Sequence, residues 1–220
     1  MAEIVQQHDF VEVDYTGKVE GKVFDTTLPE MASYLPTDKP LKPLRVCVGE
    51  RQLLPGLDEA LIGKEIGTAF EVTLPPEKAF GKRDIKKIRI IPASTFKEHK
   101  VDPHPGLQVQ VDGEMGVITG ISGGRILVNF NHPLAGKEIK YTCTLRRKIT
   151  APEEQVRSYL QAVFSLPEEQ IQVTLREGKV EVSLPKEFPS PVAQIICKRL
   201  SEVVKREVII TSSRPQTPAS

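Results

Sequence analysis

Along residues 10–27, FVEVDYTGKVEGKVFDTT, the apolar Phe10, Val11, Val13 and Tyr15 are interleaved with polar positions, and Gly17 and Gly21 punctuate the run. A period near two broken by glycines predicts an antiparallel hairpin turning through them. Residues 28–43 contain Pro29, Pro36, Pro40 and Pro43. So many missing amide donors exclude a sheet interior, and a surface loop or flap is expected. LRVCV (44–48) resumes a strand. Leu57, Leu61 and Ile62 then fall at helical spacing, in a helix that opens near Pro55 and stops at Gly63. AFEVTLP (69–75) reads as another strand, ended by Pro75-Pro76.

After AFGKRD the pattern changes. KKIRIIP, GLQVQVDGEMGVITGI and GRILVNFN carry strand signals, with Asp112-Gly113 and Gly123-Gly124 as hairpin turns. Residues 86–129 therefore read as a small β unit inserted into the first domain, which comprises 1–85 and 130–150. KEIKYTCTLRRKI (137–149) closes that domain with a strand whose Ile139, Tyr141, Cys143 and Leu145 share a face. From Ala151 the pattern is helix, hairpin around Glu177-Gly178, helix from a cap at Ser190, then the strand EVIIT. This αββαβ order predicts a C-terminal α+β domain over 151–213, with a polar, disordered tail over 214–220.

Composition narrows the chemistry. Thirty basic and 29 acidic residues leave a formal net charge of +1, which argues against a nucleic-acid or membrane-surface partner. No run approaches 18 apolar residues, and MAEIVQQHDFVEVDY lacks the basic-then-apolar order of a secretory signal. Cys47, Cys143 and Cys197 form no CxxC and read as buried thiols. A cytoplasmic protein without disulfides is expected. Walker loop, GxSxG, HExxH and dinucleotide fingerprint are all missing. The four histidines are scattered, and His99 and His104 read as solvated loop residues, so neither metal nor cofactor is expected.

What remains is a spaced apolar and aromatic set within YTGKVEGKVFDTT, VGERQLLPGLDEALIGKEIG, EKAFGKRD and NHPLAGKEIKYTCTL. In order and spacing these motifs resemble the FKBP family of peptidyl-prolyl cis/trans isomerases. The insertion after AFGKRD is similar to the SlyD-like branch, where an insert-in-flap domain replaces a short flap, and the C-terminal domain resembles that of longer archaeal members. The resemblance covers residues 4–150 and is weak after 151. It implies an α+β fold in which a short helix crosses a curled antiparallel sheet. The letters GKEI at 63–66 and again at 136–139 read as shared turn chemistry leading into two strands of that sheet.

The resemblance further implies a proline pocket of Tyr15, Phe24, Leu44, Leu53, Leu54, Leu57, Phe80 and Tyr141. In it the ring lies against Leu57, the Leu54 N–H bonds a substrate carbonyl, Phe80 closes one side, and Asp25 holds the polar edge through Tyr15. Leu57 and Phe80 stand where eukaryotic members often have tryptophan and tyrosine, which weakens the expectation of macrolide binding. By the same resemblance the insert binds unfolded chains. Its candidates are Ile91, Phe96, Leu107, Val109, Val111, Met115, Val117, Ile126 and Val128, many of them also needed for the insert's own core. The partners expected are unfolded or proline-containing polypeptides. Two other readings are a peptide-binding chaperone with a vestigial pocket and, disfavoured by a tail poor in histidine, a metallochaperone. For the C-terminal domain a homodimer paired through its VIIT edge is expected; capping the first domain, or binding ribosomes or clients, remains open.

Overall fold

The computed structural model describes residues 2–37, 40–184 and 189–212. The tail predicted disordered, 214–220, lies outside them. The chain divides into two compact units, the first formed by 1–74 with 139–220 and the second by 75–138. No helix among the described residues is long and apolar enough to cross a membrane.

The first unit is organised by β1 (Phe10–Val19), whose neighbours are set by long-range pairing. Along one side runs β9 (Ile139–Ile149), antiparallel from Phe10↔Ile149 to Lys18↔Lys140. The other side is shared by β3 (Leu44–Cys47), opposite Phe10–Val13, and β2 (Lys22–Thr26), opposite Thr16–Val19. β4 (Ala69–Leu74) completes the five-stranded sheet against β9. The first hairpin turns at Glu20-Gly21 only. Gly17, predicted as a turn, is inside β1 at a register shift. The helix α1 (Pro55–Leu61) has proline in its first turn, where no amide donor is needed, and packs on β4 with Leu57 and Leu61 buried. Gly63 and Gly136, the first letters of the two GKEI copies, both adopt left-handed φ, at 80° and 78°, ahead of the paired strands β4 and β9. The proline-rich stretch contains a 3-10 turn at Pro29–Tyr34.

The C-terminal elements follow as α3 (Pro152–Phe164), β10 (Gln172–Arg176), β11 (Lys179–Leu184), α4 (Ser190–Val204) and β12 (Val208–Ser212). Pro189, not Ser190, occupies the cap position of α4. β10 and β11 form the hairpin, and β12 joins β11 in parallel after the α4 crossover. These elements do not close a core of their own. Val156, Leu160, Ile171, Val180, Val182 and Leu200 form one buried cluster with Phe10, Cys47 and Ile149 of the five-stranded sheet. Arg45 at the sheet margin pairs with Glu12, Glu154 and Glu168, and Arg147 with Glu12 and Glu154.

The second unit is a four-stranded antiparallel sheet in the order β5 (Ile88–Pro92), β8 (Arg125–Asn129), β7 (Glu114–Ser122), β6 (Gln108–Val111). Unforeseen by strand alternation, a short helix α2 (Ala93–Glu98) follows β5 and inserts Phe96 into a core with Ile91, Val109, Ile118, Ile126, Val128 and Phe130.

Candidate functional site

The Phe24-Asp25-Thr26-Thr27 stretch folds back on Tyr15. Thr27 Oγ1 accepts from the Tyr15 N–H at 2.9 Å, the Thr27 N–H and the Thr26 hydroxyl each donate to the Tyr15 carbonyl at 3.0 Å, and the Thr27 hydroxyl donates to buried Asp14 at 2.8 Å. Arg146 Nε donates to the other Asp14 oxygen at 2.5 Å. With its backbone so held, the Tyr15 side chain donates its hydroxyl proton to Asp25 Oδ2 at 3.1 Å.

Tyr141, on the neighbouring β9, meets two aromatic rings. Tyr15 stands T-shaped to it at 5.6 Å and 75°, and Phe24 at 6.0 Å and 74°. This close meeting requires glycine at position 17. A Cβ there would lie 2.8 Å from Tyr141 Cε1 and 2.9 Å from Phe24 Cε1 and Cζ. Tyr15, Phe24, Asp25 and Tyr141 thus form an aromatic wall with one carboxylate at its edge.

The electrostatics of the wall disfavour charge. Burial raises the Tyr15 phenol above its ordinary range, with the Asp25 carboxylate and their hydrogen bond adding to it. Burial and Asp25 do the same to Tyr141. Asp25 is itself raised by burial, against the opposing pull of its bonds from Tyr15 and the Thr26 backbone. Cys143 is paired with Tyr15 across β1 and β9, its thiol pushed up to about 12 by burial. A group of neutral phenols around a reluctant carboxylate suits an apolar ligand with one polar end and offers no nucleophile.

Leu57 is buried on α1, while Leu53 and Leu54 before the helix and Leu44 on β3 are half-buried. The Leu54 carbonyl accepts from the Leu57 and Asp58 amides at 2.9 Å, beginning the helix; among the described residues its N–H takes no backbone acceptor. Phe80 belongs to the second unit and stacks on the His132 ring at 4.5 Å and 2°. The His132 Nδ1 accepts from the Leu134 N–H at 3.2 Å, which orients the ring. By spacing alone His132 is one of four scattered histidines, although it stands inside the NHPLAG segment. Ile91, Phe96 and Val109 fill the core of the second unit, while Met115 is exposed. Ile90, Ile121 and Leu127, not singled out from the sequence, are exposed together along one open hollow of that sheet. Alternation points to the inward face, where the apolar pattern is strongest. Among the described residues no cluster of three or more His, Cys, Asp or Glu side chains has the arrangement to hold a metal ion.

Comparison with known proteins gives the following matches. Residues 2–97 match the family model for the FKBP-type peptidyl-prolyl cis-trans isomerase, and residues 89–134 match the model described as FKBP26, IF domain. The short-type peptidyl-prolyl cis-trans isomerase of Methanocaldococcus jannaschii is 37% identical over 150 residues, spanning 66% of this chain and 95% of the relative. SlyD, an FKBP-type peptidyl-prolyl cis-trans isomerase, is 36% identical in Haemophilus influenzae over 46% of this chain and 55% of the relative. In Aeromonas hydrophila SlyD is 31% identical over 65% of each. On these matches, above all 37% identity over 95% of the Methanocaldococcus jannaschii relative, the chain belongs to the FKBP-type peptidyl-prolyl cis-trans isomerase family.

Proposed function

We propose that this isomerase acts on unfolded polypeptides, receiving a proline against Tyr15, Phe24, Leu57 and Tyr141 and holding the surrounding chain on its second unit. The observation that carries the reading is the Tyr15–Tyr141–Phe24 cluster with the Tyr15–Asp25 hydrogen bond at its edge.

Rotation about an Xaa-Pro bond meets a barrier of about 18–20 kcal/mol because twisting the amide destroys its resonance. No covalent step is needed. The planar amide is the more dipolar state, so a site that strips water from its carbonyl raises it relative to the twisted one. Neutral phenols and rings do this without offering a competing charge. The Leu54 N–H supplies one hydrogen bond to a flanking substrate carbonyl, fixing the chain while the bond turns. Leu44 and Leu53 flank the proline.

The second unit binds client chains through its outward side chains Ile90, Ile121, Leu127 and Met115, and the inward Ile91, Phe96 and Val109 hold that surface in shape. Joining a weak binding surface to a weak catalytic pocket raises the local concentration of proline segments. The C-terminal sheet, ending at β12 with Ile209 partly exposed, pairs two chains edge to edge. A sedimentation mass near 24.5 kDa would rule this dimer out.

The test compares the intact chain with the triple variant Ile90→Ser, Ile121→Ser, Leu127→Ser and with Phe24→Ala. Proline-limited refolding of a protein substrate and isomerisation of a short Xaa-Pro peptide are both followed. The triple variant is expected to lose acceleration of refolding while keeping peptide activity, and Phe24→Ala to lose both. Peptide binding without acceleration by the intact chain would make the protein a binding module with a vestigial pocket.

A further inference from the structure

Between β3 and α1 the loop 49–54 leads into Leu53 and Leu54. Its conformation is not one a short loop adopts unaided. Gly49 and Arg51 both have left-handed φ, 88° and 55°, and a non-glycine residue there persists when its surroundings hold it. On the helix side the buried Asp58 carboxylate accepts from the Gly49 N–H at 2.9 Å and the Arg51 N–H at 3.0 Å. The Gln52 side-chain oxygen accepts from the Cys47 N–H at 2.8 Å.

The residue between those two amides is Glu50, whose side chain is only 6% exposed. Its partners come from elsewhere in the unit. Tyr159 of α3 donates its hydroxyl at 3.1 Å, and Arg199 of α4 donates through Nε at 3.0 Å and again through Nη2. His8 Nε2 stands 3.5 Å away. A carboxylate this enclosed is tolerated only with such partners in place, and removing one leaves an uncompensated charge. Two of its three partners belong to the C-terminal elements, which share a core with the sheet through Phe10, Cys47 and Ile149.

We infer that Glu50, gripped by Tyr159 and Arg199, is a positioning residue for the isomerase reaction, through which the C-terminal helices hold the loop that presents Leu53 and Leu54. The C-terminal elements are on this view part of the catalytic scaffold and not an appendage. The inference rests on the pocket reading above for its catalytic consequence, but not for the mechanical one.

The test uses the full chain carrying Arg199→Met or Arg199→Lys, with Phe24→Ala as the pocket control. The Arg199 side chain is 42% exposed, so its replacement spares the shared core. In Arg199→Met, amide exchange at Leu57 and Asp58, whose N–H groups bond the Leu54 carbonyl, is expected to quicken, while that of Val180 and Val182 in the C-terminal sheet is unchanged. Short-peptide kcat/KM is expected to fall about tenfold, below the ~100-fold that a 1 Å misplacement of reacting groups produces. Arg199→Lys, which keeps the charge but not the two-pronged grip, is expected to recover part of both. Unaltered exchange, or quickened exchange with wild-type kcat/KM, would overturn the inference, as would equal loss of protection at Val180 and Val182. Should Phe24→Ala retain full activity, the pocket reading fails instead, and the exchange at Leu57 and Asp58 still reports on the grip.

Discussion

Gly17→Ala tests the aromatic wall with a single methyl group. The backbone at Gly17 is outside the left-handed region, so alanine meets no strain from its own φ. By lowering the entropy of the unfolded chain it would ordinarily stabilise by about 0.4–1 kcal/mol. Here the added carbon lies 2.8 Å from Tyr141 Cε1 and 2.9 Å from two Phe24 ring atoms, where carbon contacts are optimal at about 3.5–4.0 Å. The two rings must retreat by roughly 0.6–0.7 Å or more to reach that distance. Overpacking of this kind costs about 1–3 kcal/mol, so a net destabilisation of up to about 2.6 kcal/mol is expected in urea unfolding. The larger effect should be on turnover. Displacing two pocket rings by that amount predicts a fall in short-peptide kcat/KM of tenfold or more, approaching the ~100-fold expected for a 1 Å shift. The assay is exchange spectroscopy on an Xaa-Pro tetrapeptide alongside urea melts. Wild-type kcat/KM together with a gain in stability would mean that the rings yield freely, and that their fixed meeting over Gly17 is irrelevant to catalysis.

Gly116→Ala makes a similar overlap in the second unit, 2.7 Å from Val128 Cγ1 and 2.8 Å from Phe130 Cδ1. It should speed amide exchange in β6–β8 and weaken protein-refolding activity with little change toward short peptides; a matching loss on both substrates would contradict the division of labour. Asp58→Ala leaves the Gly49 and Arg51 amides without their carboxylate and should cost about 2–4 kcal/mol in urea unfolding. Asp58→Asn, which keeps one acceptor, should cost less, and equal melts for the two would refute the capping account. Asp25 has its folded-state pKa raised by burial, so the folded protein holds that proton more tightly than the unfolded chain. Its contribution is therefore favourable below the ordinary aspartate range and is lost as pH rises through the raised value. The stability of the natural protein relative to Asp25→Asn should accordingly decline across that window and then level off, and a pH-independent difference would show that the shift is absent.

The elements that were legible in the sequence are those written in nearest neighbours. Alternation in 10–19, 69–74 and 139–149 selects strands because side chains on a pleated backbone face opposite ways in turn. Pro55 marks the start of α1 because a first-turn residue needs no amide donor. Tyr15, Phe24, Asp25 and Tyr141 were named from motif resemblance, and the structure brings them together. Other features depend on which distant faces meet, and no local period encodes that. Gly17 looked like a turn residue, yet its role follows from Tyr141 lying opposite it across β1 and β9, an alignment set by more than a hundred intervening residues. Phe96 is in a short helix that packs on β5 and enters the core of the second unit, where strand alternation alone predicts none. The C-terminal elements read from the sequence as an αββαβ domain over 151–213, with capping of the first domain one of several open roles. Their burial against Phe10, Cys47 and Ile149, and the grip of Arg199 and Tyr159 on Glu50, arise from apolar surface and charge that only the folded chain brings into contact. Sequence determined the local conformations and the chemical inventory; tertiary structure decided the partners, because burial and hydrogen bonding are satisfied by whatever the fold places alongside.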